Sequence, residues 1–322
     1  MAELLICAAD GTYEKDHSPQ HIGQLLARPE CMIWYDVADP TDQDLELIRS
    51  TFGVHPLSIE DIRHNNNRAK IEVHESHYFI VFYALRVSGG EQRFERQPLY
   101  LFVGPNYLVS VHHQPLSQIE ETMHRWQDPN IPPGDHIGAL VYALLDTIVD
   151  DYMPVLDAIS DETEELEDQI FENFEQSSIQ SIFQLKRELL GLRRVLAPER
   201  DVLNVLMRRE LGIFRESDIA YLQDVYDHTL RLTDGIDNYR ELLSSALDSY
   251  LSVEASRQNQ ILKVLTIASI ILMINALIAG IYGMNFEFMP ELHWRFGYAW
   301  ALGLMAAISV GLILVFRRLR WI

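Results

Sequence analysis

Two uncharged stretches near the C-terminus constrain this chain more than any other feature. Val264 to Met284 covers 21 residues and Gly297 to Phe316 covers 20, and neither holds a charged side chain. As helices they would be roughly 32 Å and 30 Å long, which matches the hydrocarbon thickness of a bilayer. A core helix can be equally apolar, but two such runs within the last 60 residues point to a pair of membrane spans. Arg257 and Lys263 precede the first, and Arg317, Arg318 and Arg320 follow the second. The segment between them carries Glu287, Glu291, His293 and Arg295. Positive charge on the inner side puts both termini in the cytoplasm and the short connection outside. Trp294, Tyr298 and Trp321 stand where interfacial aromatic residues belong.

The chain has 322 residues and a formal net charge of −21. Residues 257–322 hold six Lys/Arg and two Asp/Glu, a net of +4, so the first 256 carry −21 − 4 = −25. A cytoplasmic part this acidic argues against a nucleic-acid partner. Cys7 and Cys31 are too few for a disulfide framework and fit a reducing compartment. The opening MAELLICAAD lacks the basic start and long apolar core of a signal peptide. There is no P-loop, no Gly-x-Ser-x-Gly and no spaced Cys/His set. The chain is therefore expected to be neither an enzyme nor a user of an organic cofactor.

Residues 1–135 read as a cytoplasmic α/β domain. CMIWYDVAD (31–39), HYFIVFYALRV (77–87) and LYLFVGPNYLVSVHH (99–113) are rich in β-branched and aromatic residues. Gly104-Pro105-Asn106 predicts a hairpin within the last of these. TDQDLELIRSTFG (41–53) predicts a helix opened by Thr41 or Asp42 and closed by Gly53. NIPPGD (130–135) marks the domain boundary. Residues 136–263 then read as a helical hairpin and stalk. Tyr152, Leu156, Ile159, Thr163, Leu166 and Ile170 form one heptad seam, and Ile182, Leu185, Leu189, Leu192 and Leu196 form another over 179–196. The first helix is acidic throughout, whereas the second carries Lys186, Arg187, Arg193 and Arg194, so the two are expected to pack as an antiparallel pair. The acidic helix can also concentrate cations through its field. Leu222, Val225, Thr229, Leu232, Ile236, Tyr239, Leu243, Ala246, Tyr250 and Val253 keep 3,4 spacing. That predicts one helix from about Asp218 into the membrane, roughly 95 Å long, with Gly235 an isolated cost. The remaining segments are the first span (264–284), an outer loop (285–296), the second span (297–316) and a basic tail (317–322).

The first span carries a second stripe. At about 100° per residue, Asn259, Leu262, Thr266, Ser269, Met273, Ala276 and Gly280 share one face, and Asp248 and Ser252 continue it. Small-residue packing between helices explains such a face. So does the wall of a pore formed by several copies, with constrictions at Leu262 and Met273 and polar rings at Asn259 and Asn285. Asn275 lies on the far side and is assigned to packing. At the end of the span, an amide ring suits Mg²⁺, which parts with its waters reluctantly. Amide carbonyls can accept from those waters without binding the ion too tightly for release. Gly283 is expected to let the backbone turn there, and Glu287 and Glu291 to raise the local cation concentration.

YGMNFEFMPEL (282–292), set between the two spans, resembles the CorA family of magnesium channels. FRRLRWI at the end, HPLSIEDI (55–62) and DVYDHT (224–229) are similar to the family's tail and cytoplasmic signatures. RAK (68–70) departs from its usual Arg-Pro-Lys, and MINAL (273–277) has no proline, so no kink is expected there. The resemblance implies an α+β membrane protein: an N-terminal α/β/α cytoplasmic domain, a long helical stalk and two C-terminal transmembrane helices, assembled as a homopentameric funnel in the cell inner membrane. It implies Mg²⁺ influx, with Co²⁺ and Ni²⁺ as further substrates, down the electrochemical gradient. It implies a selectivity filter of Gly283, Met284 and Asn285, pore-lining roles for Asn259, Leu262, Leu265 and Met273, and an acidic ring at Asp248. It further implies that Asp61 and Asp224 bind regulatory cytoplasmic Mg²⁺ between neighbouring subunits, with Glu60 and Asp146 as a second site, and that this binding favours closure.

Two other readings compete. Twelve histidines, including His74/His77 and His112/His113, raise the option of a Zn²⁺ transporter of the same architecture. HESH is not a zinc-protease spacing, and histidines at these strand positions are expected to be exposed. A membrane-tethered coiled-coil sensor that moves no ion would need neither Asn285 nor the polar stripe.

Overall fold

The computed structural model describes residues 2–321 except 8–12, 17–20, 66–67, 88–92, 128–135, 173–176, 286, 288 and 320, and the side chains of 13, 16, 87, 170–172, 177 and 292 are likewise undescribed. The expected boundary at 130–135 thus lies outside the described residues. The chain divides into two compact units, Met1–Ser244 and Ser245–Ile322.

The first unit is built on a seven-stranded sheet of order β2-β1-β3-β7-β6-β5-β4. Its strands are β1 (Ala2–Cys7), β2 (Tyr13–Asp16), β3 (Met32–Ala38), β4 (Lys70–Val73), β5 (Tyr78–Val87), β6 (Phe94–Val103) and β7 (Tyr107–His112). All neighbours are antiparallel except β3 and β7, where Ile33 pairs with Tyr107 and Ala38 with His112. The expected hairpin joins β6 to β7, with Val103 opposite Leu108. Helices α1 (Ile22–Leu26), α2 (Asp42–Phe52) and α3 (Pro56–His64) cover one face. Their Ile22, Leu45, Ile48, Phe52, Ile59 and Ile62 pack on Ile33, Tyr35, Val37, Phe79, Val81, Tyr100 and Phe102. Helices α4 (Ser117–Gln127), α5 (Ile137–Asp150) and α7 (Ser177–Leu206) pack on the other, where the Trp126 ring lies 6.0 Å from that of Trp34. Layers on both faces explain why strand β5 is apolar without alternation.

Local sequence explains the helix ends. Thr41 accepts from Asp44 N–H while Asp44 accepts from Thr41 N–H, and Gly53 closes α2 in the left-handed region. Helix α6 (Tyr152–Glu172) packs against α7, and the described members of both expected seams are buried. Helix α7 departs from expectation, continuing through Pro198 to Leu206 rather than stopping near 196. An interior proline costs about 3 kcal/mol, and tertiary packing overrides it. The residue after it, Glu199, is fully buried and accepts from Tyr83 N–H at 2.8 Å. Strand β4 ends opposite Val81, so this part of the β5 edge has no strand partner. Tyr152 Oη completes the cover by donating to Tyr83 C=O at 2.9 Å. Burial pushes the Glu199 carboxyl well above the usual carboxylate range.

Helix α8 runs without interruption from Glu216 to Tyr282. Its seam is buried from Leu222 to Tyr250, except that Tyr239 is half-buried, and Val253 is exposed. Gly235 is not merely a cost: a Cβ there would lie 2.9 Å from Leu156 Cδ2 on α6. The histidines also correct expectation. His77 and His112 are buried, 2% and 3% exposed, and His112 Nε2 meets Asp36 Oδ2 at 3.2 Å.

The second unit holds the rest of α8, a 3-10 turn at Pro290–His293, and α9 (Gly297–Arg318). Both helices are long and apolar enough to cross a membrane, and only 6% of each apolar window is buried. They are therefore not the core helices of a water-soluble unit.

Candidate ion path and cation-binding cluster

The helix of the first span ends two residues before Met284, where the sequence reading closed it. Helix α8 stops at Tyr282; Gly283 N–H donates to Ala279 C=O at 2.9 Å, and Met284 N–H to Ile281 C=O at 3.2 Å. Gly283 turns without a left-handed backbone, which among the described glycines belongs to Gly53 and Gly212. Its need is a close approach, because a Cβ there would lie 3.2 Å from the Ala279 carbonyl. Met284 and Asn285 are exposed, as is Glu287, while Glu291 is half-buried in the 3-10 turn.

Within this unit α8 and α9 meet through one defined face. Asn275 Nδ2 donates to Ser309 Oγ on α9 at 3.0 Å, the packing role assigned to it. Ile267 is the buried apolar residue of the first span. Counting about 100° per residue from Asn259, Ile267 falls near 80° and Asn275 near 160°. Asp248, Asn259, Leu262, Leu265, Thr266, Ser269, Met273, Ala276 and Gly280 fall between about 240° and 360°. All nine are exposed. The Thr266 hydroxyl donates to Leu262 C=O at 2.7 Å and Ser252 to Asp248 C=O at 3.0 Å, so both hydroxyls lie along the helix. The stripe thus lies opposite the α9-facing side and α9 leaves it uncovered.

Within one chain, the carboxylates expected to bind regulatory cations fall in two places. In HPLSIEDI, His55 caps α3 by accepting from Leu57 N–H, Pro56 opens the first turn, and Asn65 ends the helix with φ of 49°. This places Glu60 at the surface beside His64, and Asp61 within 2.6 Å of Lys70 Nζ. Lys70 Nζ also reaches Glu72 at 2.5 Å. Asp61 therefore has a cationic partner within its own chain.

Asp146 and Asp150 stand one turn apart on α5, and Asp224 and His228 one turn apart on α8. His136, at the start of α5, bonds Asp218 of α8 at 2.5 Å and ties the two helices together. Asp146, Asp150 and His228 then offer ligand atoms within 4.8 Å of one another. His228 Nδ1 lies 3.5 Å from Asp150 and Nε2 3.6 Å from Asp224. Nδ1 is buried and makes no hydrogen bond. Burial, then the neighbouring charge of Asp150, raises the Asp146 carboxyl, with Asp224 adding to it and His228 and Arg125 opposing. Burial and the same carboxylates push Tyr142 up to about 12. Oxygen donors with one imidazole suit a divalent cation, which would relieve this repulsion. Sequence reasoning missed Asp150 and His228, although both stand in helical i, i+4 pairs with carboxylates it had named.

Known proteins resemble this chain in sequence and fold. The family model for the CorA-like Mg²⁺ transporter protein covers residues 30–318. The cobalt/magnesium transport protein CorA of Thermotoga maritima is 35% identical over 272 residues, 84% of this chain and 78% of that one. The protein of that name from Methanocaldococcus jannaschii is 31% identical over 294 residues, 90% of this chain and 92% of that one. The complete structure of the CorA magnesium transporter from Methanocaldococcus jannaschii superposes with a TM-score of 0.83 at 28% identity, covering 100% of this chain and 99% of that one. With both spans, the Gly-Met-Asn turn and five of the seven sheet strands, β3 to β7, inside the matched region, the chain belongs to the CorA-like Mg²⁺ transporter family.

Proposed function

We propose that this chain forms a homopentameric channel in the cell inner membrane, with both termini cytoplasmic. It admits Mg²⁺, and also Co²⁺ and Ni²⁺, down the electrochemical gradient. The observation that carries this reading is the stripe on α8: polar and small residues interrupted by Leu262 and Met273, on the side that α9 leaves uncovered. Two spans cannot enclose water, so the stripe becomes a path only when copies ring an axis. Leu262, Leu265 and Met273 then act as constrictions that gate by dewetting. Rings of Asn259 and Asp248 lie on the cytoplasmic side. Asn285, with Gly283 and Met284, forms the outer filter for a hydrated ion, and Glu287 and Glu291 gather cations before it.

Closure follows from cytoplasmic cation binding. Between subunits, Asp224 of one chain joins Asp61 of the next, where it competes with Lys70, and Glu60 approaches Asp146. Within each chain, Asp146, Asp150 and His228 hold a cation whose charge compensates the crowded carboxylates. Such binding closes the channel only by the difference in affinity between its two states.

The test is ion flux into liposomes under an imposed potential, for the intact chain and for Asn285→Ala. Mg²⁺ entry should rise with inside-negative potential and fall by at least about tenfold in the variant, as when a filter loses its ring. Zn²⁺ entry driven by a proton gradient, with little Mg²⁺ flux, would overturn the ion assignment. No flux from folded oligomer would favour the sensor. Asp146→Asn should weaken binding of Co²⁺ to the closed protein, read by calorimetry. Because the Asp146 carboxyl is raised, protons compete with the ion, and binding should weaken as pH falls through its titration.

A further inference from the structure

A cleft of about 670 Å³ opens in the N-terminal unit between the start of β6 and the middle of α7. Arg93, Phe94 and Arg96 line it on the strand side, and Gln184, Arg187, Glu188 and Gly191 on the helix side. Three arginines thus line one cleft in a chain whose net charge is −21.

They are held to different degrees. Arg93 is anchored by an ion pair to Glu162 on α6 and lies 3.7 Å from Glu188. Its Nη1 is shielded from water and makes no hydrogen bond. Arg96 reaches only the Gly191 carbonyl, at 3.5 Å, and Arg187 only the Phe183 carbonyl of its own helix, at 3.3 Å. Among the described residues neither is ion-paired with a carboxylate. A guanidinium has five donors, so most of theirs are unused.

Gly191 adds a separate observation. A glycine in a helix interior costs about 1 kcal/mol relative to alanine. Here a Cβ would meet nothing within 4 Å, and the backbone is ordinary helix. Packing therefore does not require the glycine; its missing side chain leaves the cleft wall open.

We propose that this cleft binds a phosphate ester of about nucleotide size. Guanidinium forks match phosphate oxygens in bidentate geometry. The volume lies in the range of roughly 300–1,000 Å³ typical of small-molecule sites and exceeds what a lone oxyanion fills. Phe94 offers an apolar wall, and Gln184 and Glu188 offer partners for hydroxyl or amino groups. All of these residues lie within Met1–Ser244, so the site does not rest on the proposed ion path.

The test is calorimetric titration of full-length protein in phosphatidylcholine nanodiscs with ADP, in EDTA so that no divalent ion bridges. Saturable binding of one ADP per chain is expected. Arg96→Ala and Arg187→Ala should each weaken it by about tenfold or more. Gly191→Gln should abolish it while melting no lower than the parent, since it replaces a helical glycine beside open space. Displacement of ADP by added phosphatidylglycerol vesicles would support the site and assign its phosphate to a lipid headgroup; failure to displace would assign it to a free ester. No saturable ADP binding, or binding unchanged in all three variants, would overturn the proposal.

Discussion

Tyr78 to Phe82 in β5 expose no surface, whereas Leu272, Met273 and Leu277 on α8 are 68%, 66% and 62% exposed. Both stretches are apolar, but only the first is buried by its own chain. In the N-terminal unit, sheet and helices cover one another, and polar groups inside mostly find partners, as when Ser110 Oγ accepts from Trp34 Nε1 at 2.8 Å. In the second unit, beyond Tyr250, Ile267 and Phe316 are the buried apolar residues among those described. The contrast separates two ways of being apolar. A water-soluble unit hides such surface within the chain; this pair of spans leaves it for a bilayer.

The widest test of that contrast is truncation. Phe79→Ala should cost about 3–5 kcal/mol, the usual loss for a buried aromatic. Leu272→Ala should stay within about 0.5 kcal/mol. Thermal melts in detergent read both. An equal loss at Leu272 would break the contrast by placing that face in a packed interface between copies.

Acid should separate the units next. Burial, then the neighbouring His74, holds the His77 imidazole down at about 4, against an ordinary 6.5. The unfolded chain therefore takes up the proton first. The stability that neutral His77 contributes is whole above pH 6.5 and is lost as pH falls towards 4. The loss is on the order of 3 kcal/mol. His77→Phe should flatten the acid limb of N-terminal-unit unfolding. An unchanged limb would show that another group carries it.

The smallest effect belongs to the spans. Asn275→Ala should cost roughly 0.6 kcal/mol, the mean for a hydrogen bond between transmembrane helices. Ser309→Ala should cost about the same, and the double variant should show coupling rather than a simple sum. Additive losses would mean that each side chain acts on other partners.

Much of this was legible because it is local. The start of α2 at Thr41 or Asp42, its end at Gly53, the turn at Gly104-Pro105-Asn106 and the described members of both heptad seams read directly from residue type and spacing. The candidate ion path was legible too, since helical periodicity alone puts Asn259, Met273 and Gly280 on one face and Asn275 on the other. The cation cluster was half legible: Asp146 and Asp224 were named, each for a site between neighbouring subunits rather than for one within the chain. Nothing in the spacing of Asp150 and His228 says that α5 and α8 lie side by side. Pro198 misled for the opposite reason. Its local cost is real, but the cover that Glu199 gives to Tyr83 depends on a strand more than a hundred residues earlier, 116 by separation.

By itself the sequence determined the two apolar spans, the helix that carries the stripe and the turn at Gly283-Met284-Asn285. Each follows from charge, length or period along a single segment. Only the tertiary structure decided the parallel pairing of β3 with β7, the burial of His77 and His112, and the meeting of Asp146 and Asp150 with His228. Those depend on which segments pack together. Packing is set by the shape and burial of whole surfaces, and no single stretch of sequence contains both sides of a contact.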